Sequence, residues 1–221
     1  MQKLKIVYED KYLIVVNKPH NLLTIATEKE KLRTLYHEVL TYEQKKHKNN
    51  RIFIVHRLDK ETSGLVIFAK SQEIKETLQN NWDEVKRYYV ALLEGKVEKS
   101  GEIKSYLKET KTLLTYSSND KKGKFAFTKY QPLKTQNKLS LVEIQILTGR
   151  KNQIRVHMQD IKHPIVGDVK YGSKYNPIKK MCLTAQKLEF IHPITKENLK
   201  LEIDTPKEYL ELLEKSNKIK K

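Results

Sequence analysis

His56-Arg57-Leu58-Asp59-Lys60-Glu61-Thr62-Ser63-Gly64 is the densest run of chemistry-bearing residues in this 221-residue chain. It sets one carboxylate, Asp59, between two cations, Arg57 and Lys60. Ile52-Phe53-Ile54-Val55 leads in and Leu65-Val66-Ile67-Phe68-Ala69 leads out. Both segments are short, β-branched or aromatic, and bounded by turn residues, which predicts two buried strands. A carboxylate on a loop held by two core strands is well placed for chemistry. The neighbouring cations favour its charged form.

Three more segments concentrate polar side chains. Thr148-Gly149-Arg150-Lys151-Asn152-Gln153-Ile154-Arg155-Val156-His157 opens a helix on which Ile154, Met158 and Ile161 face the core. Arg155 then falls partly on the buried side and needs an anion, for which Asp59 and a substrate phosphate are candidates beside a plain surface salt bridge. Arg87-Tyr88-Tyr89 places tyrosines on a strand, where one can stack on a base or serve as an ordinary core residue. His163-Pro164-Ile165-Val166-Gly167-Asp168, followed by Tyr171-Gly172, is a turn-rich stretch that shapes a pocket or makes a tight connection. The histidines lack zinc-ligand spacing, and no Gly-x-Ser-x-Gly elbow or phosphate-binding glycine-rich loop is present. A zinc site, a serine-hydrolase elbow and a nucleotide-phosphate loop are therefore not expected.

The elements that must position these groups follow from periodicity. Strands are predicted at Leu4–Tyr8, Tyr12–Val16, Arg87–Leu93, Leu139–Leu147, Cys182–Phe190 and Leu199–Ile203. Helices are predicted from about Glu30 to Gln44, behind the N-cap candidate Ser71, after Gly149, and from about Pro206. Lys121-Lys122-Gly123-Lys124 reads as a hairpin tip. Strands outnumber helices and often follow one another directly. The expected class is α+β, with a mixed, largely antiparallel central sheet and flanking helices. One catalytic domain over 1–215 and a basic tail over 216–221 are expected.

Lys and Arg total 44 against 27 Asp and Glu, a net charge of +17. That balance favours an anionic partner, with nucleic acid ahead of a membrane surface. Lys45, Lys46, Lys121, Lys122 and Lys124 are candidate contacts to an RNA backbone. One cysteine, Cys182, allows no intrachain disulfide, and no signal peptide or apolar span is read. A cytoplasmic, monomeric protein is expected.

The Asp59 run closely resembles the signature of the RluA family of RNA pseudouridine synthases. Arg87-x-Tyr89-x-Ala91-x-x-x-Gly95 resembles the family's tyrosine motif, and Leu147-Thr148-Gly149-Arg150-x-x-Gln153-Ile154-Arg155-Val156-His157 its arginine motif. The His163–Gly172 block resembles the next one, in the same order. The resemblance implies the family's fold and the isomerisation of uridine to pseudouridine in structured ribosomal or transfer RNA. In that reaction the N1–C1′ bond breaks, the uracil turns, and C5 joins C1′, without metal, cofactor or net redox change.

The same resemblance makes Asp59 the catalytic aspartate, Arg155 its charge partner and Tyr89 the tyrosine against the target base. Tyr88 stays open, since a one-residue slip exchanges sheet faces. Arg57 is implied to hold the flipped-out nucleotide, Leu183 to lie under the uracil, and Arg150 and Gln153 to bind substrate. Two departures stand out. Thr184 replaces the family's usual histidine after Leu183, and a stand-alone catalytic domain without an N-terminal RNA-binding domain of the S4 type is expected. A non-catalytic RNA-binding or RNA-folding module on the same scaffold is the alternative; the intact Asp59, Tyr89 and Arg155 weigh against it.

Overall fold

The computed structural model describes residues 4–28 and 30–216. The tail expected over 216–221 therefore lies, except for Ser216, outside the described residues. In chain order the first elements are β1 (Ile6–Glu9), β2 (Leu13–Lys18), α1 (Leu35–Lys46), β3 (Phe53–Ile54), β4 (Ser63–Ala69), α2 (Gln72–Asn80), β5 (Lys86–Glu94) and β6 (Gly101–Glu109). β7 (Thr115–Ser118), β8 (Lys124–Gln136), β9 (Leu139–Ile146), α3 (Gln153–Asp160), β10 (Leu183–Ile191), β11 (Asn198–Glu202) and α4 (Lys207–Lys215) complete them. They fall into two compact units, Met1–Val85 with Ala185–Ile203 and Lys86–Thr184 with Asp204–Lys221.

In the first unit β2 pairs antiparallel with β1 on one side and with β4 on the other. β3 pairs with the end of β4, and β10 lies next to β4 and pairs with β11. Alternate residues of the two apolar strands, Leu13, Val15, Leu65, Ile67 and Ala69, build one core with Ile74 and Leu78 of α2 and Leu188 and Phe190 of β10. Ser71 caps α2 as expected, its Oγ accepting from Ile74 N at 3.3 Å. α1 begins later than its apolar periodicity suggested. Thr34 takes the capping position, accepting from His37 N at 3.1 Å, and strands Leu32 outside the helix. Gly64 has φ +113°, and a Cβ there would sit 2.2 Å from the Ala185 carbonyl oxygen. Only glycine lets β4 pass so close to β10.

In the second unit the strand order is β5-β9-β8-β6-β7, all antiparallel. α3 covers one face of this sheet, with Val156 packed among Leu107, Ala126 and Tyr171, and Ile154 and Met158 in the larger core with Val90–Leu93 and Ile144. α4 adds Tyr209, Leu212 and Leu213 to that core. The expected hairpin tip at Lys121–Lys124 is a turn of another kind. β7 and β8 each pair with β6 and not with each other, so the true hairpins flank it. Asp120 shapes the turn, accepting from Lys122 N at 2.9 Å. The class is α+β with a largely antiparallel sheet and flanking helices, as the element order implied; the bridge Leu23–Thr34 is the parallel exception among isolated bridges.

Candidate active site

The Asp59 loop is held through the backbone on either side of the carboxylate. Thr24 Oγ1 donates to the Leu58 carbonyl at 2.8 Å and accepts from Leu58 N at 3.2 Å. Lys18, fully buried at the end of β2, reaches the other side: its Nζ donates to the carbonyls of Lys60 (3.1 Å), Leu22 (2.7 Å) and Pro19 (3.2 Å). Burial pushes the Lys18 ammonium down to about 8, while the charges of Glu61 and Asp59 pull it back up. A buried cation is stable there because three carbonyl oxygens accept from it and the charges of Glu61 and Asp59 favour it. Thr62 N closes the turn on the Asp59 carbonyl at 3.1 Å. Asp59 itself is half-buried, and Arg57 and Lys60 beside it are exposed. Sequence reading passed over Lys18 because a lysine next to a proline looks like the end of a strand. Its position two residues after Val16, in line with the buried run Leu13–Val16, was the available signal.

Arg155, on α3 in the second unit, is gripped by side chains. Its Nε and Nη2 donate to the two carboxylate oxygens of Asp168, each at 2.7 Å, and Nη1 donates to Asn152 Oδ1 at 3.1 Å. The guanidinium lies 4.7 Å from the Tyr171 ring centroid. A bidentate carboxylate and a stacked ring fix a planar cation in one orientation. Asp168 is the partner that sequence reading missed. It sits in the loop read only as a pocket wall or connection. That loop is tied to the end of β5, where Glu94 Oε1 accepts from Ser173 Oγ (2.6 Å), Lys174 N (2.9 Å) and Tyr175 N (3.0 Å). Gly95 has φ +86°, and a Cβ there would strike the His163 ring at 2.7 Å.

The entry to α3 is equally ordered. Asn152 takes a left-handed φ of 54° just before the helix. Gln153 Oε1 accepts from Thr148 Oγ1 (2.8 Å) and Arg150 N (3.0 Å), so this glutamine braces the loop that presents Arg150. Arg150 is exposed, and its Nε donates to the Phe125 carbonyl at 2.8 Å. Gln153 Nε2 donates to Thr128 Oγ1 at 2.9 Å, which leads to His157 Nδ1 at 2.8 Å. His157 Nε2 meets Ser105 Oγ at 2.9 Å, Ser105 meets Ser117 Oγ at 2.9 Å, and Ser117 donates to Asp160 Oδ2 at 2.5 Å. A hydroxyl has one proton to give, so the Gln153 donor and the Asp160 acceptor fix the direction of the whole chain. His157 is thereby the neutral tautomer with its proton on Nε2. Burial agrees, pushing its pKa down to about 4.

Strand register separates Tyr88 from Tyr89. Tyr89 lies opposite Ile144, which lies opposite Tyr130, on the face where Thr128 meets α3. Tyr88 lies opposite Gln145 and Lys129, on the other face. Tyr89 is half-buried and packs against the large core, of which Leu183 is a buried member. Thr184 is buried and shares a hydrogen bond of 2.9 Å with the Tyr209 hydroxyl, as a packing position would. The lysine candidates Lys45, Lys46, Lys121, Lys122 and Lys124 are all exposed, and Lys46 at the end of α1 also pairs with Glu9 and Glu43. Among the described residues no group of three or more His, Cys, Asp or Glu side chains is arranged to hold a metal ion, and no helix is long and apolar enough to cross a membrane.

A family model described as RNA pseudouridylate synthase matches residues 12–160. An uncharacterized RNA pseudouridine synthase of Mycoplasma pneumoniae is 35% identical over 97% of this chain and 71% of that protein. The tRNA pseudouridine synthase C of Vibrio vulnificus is 31% identical over 96% of this chain and 95% of that one. The ribosomal large subunit pseudouridine synthase D of Nitrosomonas europaea is 33% identical over 96% of this chain and 64% of that one. Among solved structures, human RNA pseudouridylate synthase domain containing 4 has the same fold, with a TM-score of 0.80 at 23% identity over 96% of this chain.

Proposed function

Since this chain belongs to the RNA pseudouridylate synthase family, we propose that it isomerises specific uridines in structured transfer or ribosomal RNA, with Asp59 as the catalytic nucleophile or base. The observation that carries the assignment to Asp59 is the double anchoring of its loop, by Thr24 at Leu58 and by Lys18 at Lys60. A rigidly placed carboxylate loses little entropy in reaching its near-attack position. One carboxylate suffices for a bond exchange in which the base never leaves, unlike the acid–base pair of a hydrolytic glycosidase.

The motif match gives Arg155 the role of charge partner to the aspartate, and the Asp168 grip supports it by fixing the guanidinium plane. Tyr89 takes the target base, with Leu183 below the uracil. The register supports Tyr89 over Tyr88, because Tyr89 shares the sheet face on which α3 lies. Arg57, exposed on the Asp59 loop, holds the extruded nucleotide through its phosphate, which offsets the few kcal/mol, roughly, of unstacking. Arg150 and Gln153 line the approach, with Gln153 acting through the loop it braces. Residues 1–215 are read as a single catalytic domain that works as a cytoplasmic monomer and needs no metal or cofactor.

The test is a pseudouridine map of total RNA from cells with and without this protein. Loss of one or a few defined sites in transfer or ribosomal RNA, restored by the wild-type chain, is the expected result. An unchanged map would overturn the assignment.

A further inference from the structure

The face of the second unit's sheet that α3 leaves uncovered carries an alternation of rings and ammonium groups. Directly opposed pairs place Glu102 with Lys129, Lys104 with Phe127, and Tyr106 with Phe125 on this face of β6 and β8. On β7, Ser118 lies opposite Tyr106 and Tyr116 opposite Lys108. The intervening residues point the other way: Ala126 and Leu107 pack with Val156 of α3, and Ser105 meets His157.

Tyr116 and Phe125 are each 41% exposed, although both sit on paired strands. Tyr106 and Phe125 meet edge to face with centroids 5.7 Å apart. Lys104 Nζ stands 4.4 Å from the Phe127 centroid and Lys129 Nζ 5.5 Å from it. Across 101–130 the lysines at 104, 108, 111, 121, 122, 124 and 129 outnumber the acids Glu102, Glu109 and Asp120 by seven to three.

We propose that this face, built by Tyr106, Tyr116, Phe125 and Phe127 with Lys104, Lys108 and Lys129, is a docking surface for unpaired RNA nucleotides outside the target-uridine site. The proposal rests on the reading that RNA is the substrate. Exposed rings among cations suit single-stranded RNA, because every base offers a stacking face and every linkage a phosphate. A protein partner fits less well, since lysine is depleted from protein interfaces. The salt bridges of Lys104 and Lys129 to Glu102, at 3.4 and 2.9 Å, are solvent-exposed and contribute little to the fold. An incoming phosphate can replace Glu102 as their partner at small cost. Arg150 links this face to the α3 loop through its bond to the Phe125 carbonyl, so RNA leaving the Arg150 loop meets the rings next.

The experiment compares the wild-type chain with Tyr116→Ala/Phe125→Ala and with Lys104→Gln/Lys129→Gln. Binding of an unpaired oligouridine and of a duplex RNA is measured across a salt series, alongside turnover on an RNA that the wild type converts. In the ring variant, affinity for the unpaired strand falls about tenfold or more with the salt slope unchanged. In the lysine variant, affinity falls and the slope flattens by about 0.7 per lost phosphate contact. In both, KM for the RNA rises while kcat stays. Wild-type affinity and KM in the ring variant overturn the proposal, whether or not that variant has lost self-association or melts at a lower temperature. Conversion by the wild type in the same assay keeps the function reading separate, and failure of the wild type to convert any uridine would strike that reading first.

Discussion

The Asp59 loop and the Arg155 helix are fixed by opposite means. The loop is held by its backbone, with Thr24 and Lys18 bonded to the peptide groups one residue before and one residue after Asp59. The arginine is held by its own functional group, clamped by Asp168 and Asn152. The difference follows from what each must do. A carboxylate proposed to react gains from a backbone that fixes where its side chain starts. A guanidinium that serves as a fixed charge gains from side chains that hold its plane in one orientation. Removing a support should therefore slow chemistry in the first case and loosen the fold in the second.

The largest stability effect belongs to the second region. Asp168→Ala leaves the buried Arg155 charge without its bidentate partner and should cost about 3–5 kcal/mol. Chemical denaturation checks this, and a loss below about 1 kcal/mol would mean that the pair behaves like a surface bridge. Lys18→Met is the converse case. It removes donors to the Lys60 and Leu22 carbonyls but also relieves the desolvation of a buried ammonium, so net stability should change by only about 1 kcal/mol. Turnover should fall ~10–100-fold, because displacement of a reacting group by about 1 Å is enough for that. Single-turnover conversion and RNA affinity measured together separate the two effects, and unchanged turnover would deny the loop its second anchor.

A smaller effect sharpens the picture of the α3 entry. The folded-state pKa of His157 is about 4, below its ordinary value of 6.5. The unfolded chain binds that proton more readily, so the stability is fully present above about 6.5 and declines as pH falls toward 4. The loss should reach up to about 3 kcal/mol, at roughly 1.4 kcal/mol per unit. His157→Gln removes the titrating group, and its stability should vary less over that range than the wild type's. Parallel pH curves for the two proteins would place the titration elsewhere.

How far the sequence revealed this comparison depended on contiguity. The Asp59 loop could be read directly, because nine consecutive residues carry the carboxylate, its cations and the glycine needed beside Ala185. The strands on either side were readable from their apolar runs, although only Phe53–Ile54 of the leading segment pairs. Lys18 and Asp168 were not found, for one shared reason. Each is a charged residue with a partner in another segment, Lys60 for Lys18 and Arg155 for Asp168, and pattern reading assigns such residues to the surface or to a turn. A buried arginine announces that an anion is near, but the chain does not say which one until the loop after Pro164 folds back on α3. The choice between Tyr88 and Tyr89 likewise needed the register of β5 against β9. The Lys121–Lys124 turn misled because a glycine among polar residues signals a turn without saying which strands it joins.

We propose that Asp59 carries the chemistry on a loop placed for it. Asp59→Asn keeps the size and the hydrogen-bonding reach of the side chain while removing its charge. The decisive measurement is single-turnover conversion of a target RNA by this variant, with RNA affinity recorded on the same preparation. Wild-type affinity and no detectable pseudouridine are expected. Conversion at a rate within about tenfold of wild type, roughly 1.4 kcal/mol of barrier, would contradict the proposal.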